Sequence, residues 1–161
     1  MPQVLFLCTA NYYRSRFAEL VFNALAPQLA PDWSAFSRAL AIEENWCNKG
    51  PISMHTRNAC RERAILIPEP IREPCGVTDS DFAAAARAVA VKEAEHRRYV
   101  IERHPQRLRS VEFWQVHDLD ASGPTETCDL IERNVRALLA ELASDKSNPA
   151  HSAEAKRGFC R

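Results

Sequence analysis

Residues Val4 to Leu7 form an unbroken apolar, β-favouring run, the pattern of a central strand covered on both faces. From Ser15 the period changes. Phe17, Leu20, Val21, Ala24 and Leu25 recur at helical spacing, and Pro27 and Pro31 close the segment. "WSAFSRALAI" (33–42) offers a second short strand, and "SMHTRNACRERAI" (53–65) a helix with Ser53 as N-cap. "LIPEPIREPCG" is too rich in proline for regular structure and reads as a surface connection. "TDSDFAAAA" opens a short helix capped by Thr78 or Asp79, and "RAVAVK" alternates as a third strand. "EAEHRRYVIERH" is a charged helix ended by Pro105, "SVEFWQV" (110–116) a fourth strand, and "TETCDLIERNVRALLAELA" a strong last helix. In that helix Leu130, Ile131, Val135, Leu138, Leu139 and Leu142 share one side. One domain over 1–143 is expected, with 144–161, poor in apolar periodicity, a mobile tail.

Strands alternating with helices imply an α/β fold with a parallel sheet and helices on both faces. In such sheets ligands bind beyond the carboxyl ends of the strands. Cys8 lies at that end of the first strand.

Composition narrows the function. The chain has 161 residues, with 46% apolar and 26% charged, an ordinary globular balance. Lys+Arg and Asp+Glu are both 21, which argues against nucleic acid or a membrane surface as the partner. No apolar stretch reaches membrane-spanning length, and "MPQVLFLCTA" lacks a basic leader region, so a cytoplasmic location is expected. Cys8, Cys47, Cys60, Cys75, Cys128 and Cys160 are scattered without a C-x-x-C pair, so neither a metal site nor a thioredoxin-type motif is written here. Most read as small buried residues.

Cys8 differs by its setting. Thr9, Ala10, Asn11, Tyr12, Tyr13, Arg14 and Ser15 lead from a strand into a helix N-terminus, where backbone N–H groups and the helix dipole make an anion cradle. The planar fork of Arg14 suits two phosphate oxygens. Positive groups around a thiol favour its thiolate, the nucleophilic form. Ser15 can donate a hydrogen bond to that thiolate, and Asn11 tolerates left-handed backbone. These parts fit an activated nucleophile facing a bound oxyanion.

"VLFLCTANYYRSRFAE" resembles the N-terminus of low-molecular-weight protein tyrosine phosphatases, whose pattern is roughly V-C-x-G-N-x-x-R-S-P-x-A-E. Cys8, Asn11, Arg14, Ser15, Ala18 and Glu19 match, and the order of elements is similar over 3–143. The resemblance implies a flavodoxin-like three-layer sandwich with a four-stranded parallel sheet in the order 2-1-3-4. It implies a phosphocysteine at Cys8, phosphoryl oxygens held by Arg14 and the loop amides, and no cofactor.

Such a reaction needs a proton for the leaving oxygen and then a base for water. "VHDLDASG" follows the fourth strand, so Asp118 and Asp120 are the candidates, and Asp118 aligns best with the family's acid. Glu93 reads as a cap or pocket wall. Tyr12, Trp46, Leu119 and Asp120 are the expected substrate-pocket residues. The match departs at Ala10, where the family has glycine, at Tyr13, where many members carry a second cysteine, and at Arg16, which replaces proline. Leu119-Asp120-Ala121 stands where the family has tyrosines. The expected substrate is a phosphorylated protein or a small phosphate ester. The rivals are a non-catalytic phosphate-binding module, an arsenate reductase, whose relay cysteines are missing from "VKEAEHRRYVIERHP" after the third strand, and a phosphoarginine phosphatase, where threonine is typical at the position of Tyr12.

Overall fold

The computed structural model describes residues 1–116 and 123–145. Its strands are β1 (Gln3–Cys8), β2 (Ser34–Ala39), β3 (Arg87–Ala90) and β4 (Val111–Phe113). The α-helices are α1 (Arg14–Leu29), α2 (Met54–Glu62), α3 (Asp79–Ala84), α4 (Glu93–Arg103) and α5 (Pro124–Asp145). The four strands pair in parallel in the order β2-β1-β3-β4, as the resemblance implied.

The continuous apolar run of β1 is explained by burial on both faces. Val4, Phe6 and Cys8 point into a cluster with Phe17, Val21 and Phe22 of α1 and Ile131, Val135 and Leu139 of α5. Leu5 and Leu7 point the other way, toward Phe82, Tyr99 and Val100 of α3 and α4. Each such side chain contributes about 1.5–3 kcal/mol by leaving water. Among the described residues no helix is long and apolar enough to cross a membrane.

The caps follow from their side chains. Ser53 accepts a hydrogen bond from the His55 N–H (3.1 Å) and starts α2. Thr78, rather than Asp79, caps α3, in a reciprocal box with Asp81.

Three boundaries depart from the pattern. Pro27 does not end α1 but lies inside it, two residues before Leu29, where its missing N–H costs a single hydrogen bond near a helix end. The second strand stops at Ala39, and a 3-10 helix occupies Ile42–Cys47. Leu40 and Ala41 leave the ladder but still donate N–H bonds to the Cys8 (2.8 Å) and Thr9 (2.9 Å) carbonyls, holding the exit of β1 in place. β4 is three residues long, and Gln115 instead makes an isolated antiparallel bridge with Lys92.

Candidate active site

The loop after β1 turns on Asn11, which carries φ 52°. Asparagine bears that left-handed conformation better than most residues because its amide bonds locally. Its Nδ2 donates to Ser15 Oγ (3.0 Å) and Ser37 Oγ (2.8 Å). Its Oδ1 accepts from the Cys75 N–H (3.1 Å) and from Arg72 Nη1 (3.1 Å). The positive φ thus falls on Asn11, and Ala10 can stand where the family has glycine. Arg72 also pairs with Glu19 (3.1 Å), which accepts a bond from Ser37, so the motif glutamate belongs to the same partly buried network. Asn11→Ala is expected to lower stability by about 2–4 kcal/mol in urea unfolding, through lost bonds and backbone strain. Asn11→Gly relieves the strain alone, so a deficit as large as that of alanine would contradict this division.

Cys8 Sγ lies 2.9 Å from Ser15 Oγ, with both groups buried. Asn11 Nδ2 can only donate, so Ser15 accepts there and keeps its own proton for the Cys8 sulfur. Arg14 opens α1, whose N-terminus has no capping side chain at Tyr13 and turns the positive end of its dipole toward the Cys8 loop.

The guanidinium of Arg14, nearly fully buried, is held by Glu95, a residue the sequence reading passed over. Arg14 Nη2 meets Glu95 Oε1 at 2.9 Å and Nη1 meets Oε2 at 3.2 Å, a two-pronged pair. Thr9 Oγ1 also donates to Oε1. Lys92 Nζ is 3.7 Å from Oε2, and His96 Nε2 is 3.6 Å from Oε1. Burial alone would raise the Glu95 carboxyl, but His96, Arg14 and Thr9 outweigh it and hold it well below the usual carboxylate range. Burial lowers the pKa of the His96 imidazole more than Glu95 raises it, and its Nδ1 accepts the Lys92 N–H (3.1 Å). Glu95 is therefore an anchor for Arg14 and no proton donor. The glutamate expected at this edge, Glu93, pairs instead with Arg97 (2.9 Å) and Gln115 (2.9 Å). Two residues of helical rotation separate the roles, and only the position at the end of β3 signalled them.

A carboxyl depressed on folding stabilises the fold above its unfolded pKa of about 4.3, and that contribution fades as pH falls. Glu95→Gln is expected to cost about 1–3 kcal/mol at neutral pH, by leaving Arg14 buried without its counter-charge. The gap from wild type is expected to narrow below about pH 4. Urea unfolding at both pH values measures it, and an unchanged gap would refute the anchor role.

These groups open on a cavity of about 530 Å³. Cys8, Thr9, Ala10, Tyr12, Tyr13, Arg14 and Glu95 contribute from the sheet edge, facing Glu44, Cys47, Met54 and His55. Tyr12 is tied by its hydroxyl to the Lys49 carbonyl (2.7 Å). Tyr13 turns inward against the His55 ring, 5.6 Å between centroids, and toward the Cys128 sulfur (3.6 Å). Asn11 and Ser15 lie behind the cavity wall. Trp46 is 83% exposed, on the 3-10 helix whose Glu44 and Cys47 reach the cavity. Asp118, Leu119 and Asp120 lie outside the described residues. Elsewhere, burial pushes the Cys60 thiol up to about 11 and raises that of Cys128, which fits them for packing.

No family model matches the chain, and no curated protein matches it. Solved structures do. A low molecular weight protein tyrosine phosphatase from Streptococcus pyogenes superposes with a TM-score of 0.76 at 20% identity, over 94% of this chain and 99% of that one. YfkJ from Bacillus subtilis gives 0.77 at 23%, over 91% and 97%. The YwlE arginine phosphatase from Geobacillus stearothermophilus gives 0.65 at 16%, over the whole of both chains. The architecture of this chain is thus the low-molecular-weight protein tyrosine phosphatase fold.

Proposed function

We propose that the chain is a cysteine-dependent phosphatase that hydrolyses phosphate monoesters, protein phosphotyrosine foremost, through a phosphocysteine at Cys8. The observation that carries this reading is the 2.9 Å contact of Cys8 Sγ with Ser15 Oγ beside a doubly anchored Arg14 at a helix N-terminus. A buried cysteine kept only for packing needs none of these partners.

The chemistry has two steps. The Cys8 thiolate attacks phosphorus in line, forming the S–P bond as the ester P–O bond breaks, while Arg14 and the loop N–H groups take up charge on the phosphoryl oxygens. Asp118, the acid assigned from sequence, protonates the departing oxygen. Its carboxylate then takes a proton from water, which attacks phosphorus and releases phosphate and the Cys8 thiolate. We assign no role to a metal or an organic cofactor. The partner is a phosphorylated protein or a small phosphate ester, with no nucleic acid or membrane, and the location is the cytoplasm, where a catalytic thiol stays reduced.

Asp118→Ala tests the acid. It is expected to slow hydrolysis of phenyl phosphate, a poor leaving group, by about 10²–10⁴-fold and p-nitrophenyl phosphate far less. Equal losses on both would move the role to Asp120 or elsewhere. Two of the similar structures are of YwlE arginine phosphatases, and that activity is the second reading. Turnover of a phosphoarginine peptide faster than of its phosphotyrosine counterpart would favour it.

A further inference from the structure

A second cavity, of about 460 Å³, lies between α1 and the proline-rich segment after α2, away from the Cys8 cavity. Its two ends differ. Leu20 and Ala24 of α1 face Ile65, Ile67 and Pro68 across an apolar stretch, while Arg16, Glu19 and Arg72 make the polar end.

Charge at that end is unbalanced. Arg72 and Glu19 neutralise one another at 3.1 Å. Arg16, only 4% exposed, donates through Nη1 to two neutral acceptors, the Pro51 (3.1 Å) and Arg72 (2.9 Å) carbonyls. Burial and the neighbouring Arg72 cation both disfavour its charge, more than Glu19, Cys75 and Cys8 together offset. The acidic residues of the proline-rich segment, Glu69 and Glu73, do not line the cavity. One buried cation in excess beside an apolar trough of ligand size is complementary to an amphiphile with one negative charge.

We propose that this cavity binds a small amphipathic monocarboxylate, its carboxylate paired with Arg16 and its apolar body between α1 and the Ile65–Pro68 stretch. A carboxylate accepts two N–H bonds from one guanidinium, and an aliphatic body displaces water from Leu20, Ala24 and Ile67. The proposal does not rest on the phosphatase reading: neither Cys8 nor Arg14 lines this cavity, although its Arg72 also bonds Asn11 of the Cys8 loop.

The test is calorimetric titration of sodium octanoate into the full chain, with inorganic phosphate present to occupy the Cys8 loop. Ala24→Trp fills the apolar end and Leu66→Glu adds a negative charge at its rim. Both positions are exposed, and neither belongs to the catalytic machinery. Saturable one-site binding is expected, weakened tenfold or more in each variant, with acetate and 1-octanol, which lack one half of the ligand each, failing to saturate. Absence of saturable binding, equal affinity in both variants, equal binding of 1-octanol, or displacement by phosphate would overturn the proposal. None of these readouts uses turnover, so its failure leaves the Cys8 reading untouched.

Discussion

Cys8→Ser is expected to abolish turnover of p-nitrophenyl phosphate, by about 10⁴-fold or more, in assays with EDTA throughout. A serine hydroxyl at this position keeps the size of the side chain and its neighbour Ser15, but it is almost wholly protonated near neutral pH. The anion cradle survives, since it consists of Arg14, the Glu95 anchor and the loop backbone held by Asn11. Phosphate affinity is therefore expected to stay within a few-fold of wild type. Turnover close to wild type in the variant would sink the mechanism. Joint loss of turnover and phosphate binding would show instead that the loop had collapsed.

Arg14→Lys is the second large effect, an expected loss of about 10²–10³-fold in kcat/KM. Arg14 meets both oxygens of Glu95, at 2.9 and 3.2 Å, and its planar fork is fixed in orientation by that two-pronged grip. An ammonium is a point charge and cannot serve both partners in a fixed plane. It can still answer the charge of Glu95, so the fold is expected to persist with a melting temperature within a few degrees of wild type. Inhibition by phosphate is expected to weaken alongside turnover. Full activity would mean that the backbone N–H groups alone bind the phosphoryl group, and a collapse in melting temperature would assign Arg14 a structural role only.

The sheet was legible because β1 is buried on both faces, so Val4–Leu7 needs no alternation and stands out as an apolar run. The Cys8 loop was legible for a local reason: strand, loop and helix N-terminus are consecutive in the chain. Glu95 and Arg72 were not, because their partners are remote. Arg14 is 81 residues from Glu95, and Asn11 is 61 from Arg72. No periodicity within α4 separates Glu95 from Glu93; only the rotation of the helix against the sheet edge does. The end of β2 was misplaced for another reason: Leu40, Ala41 and Ile42 prolong its apolar character, while the N–H bonds of Leu40 and Ala41 to the Cys8 and Thr9 carbonyls draw the backbone out of the ladder before the 3-10 helix.

Acid quenching during steady turnover of p-nitrophenyl phosphate, followed by intact-protein and peptide mass spectrometry, tests the phosphocysteine most directly. The account predicts one phosphoryl group on the peptide carrying Cys8, accumulating further when Asp118→Ala removes the base for the hydrolytic step. Turnover with no phosphoryl adduct in either protein, or an adduct on another residue, would contradict it.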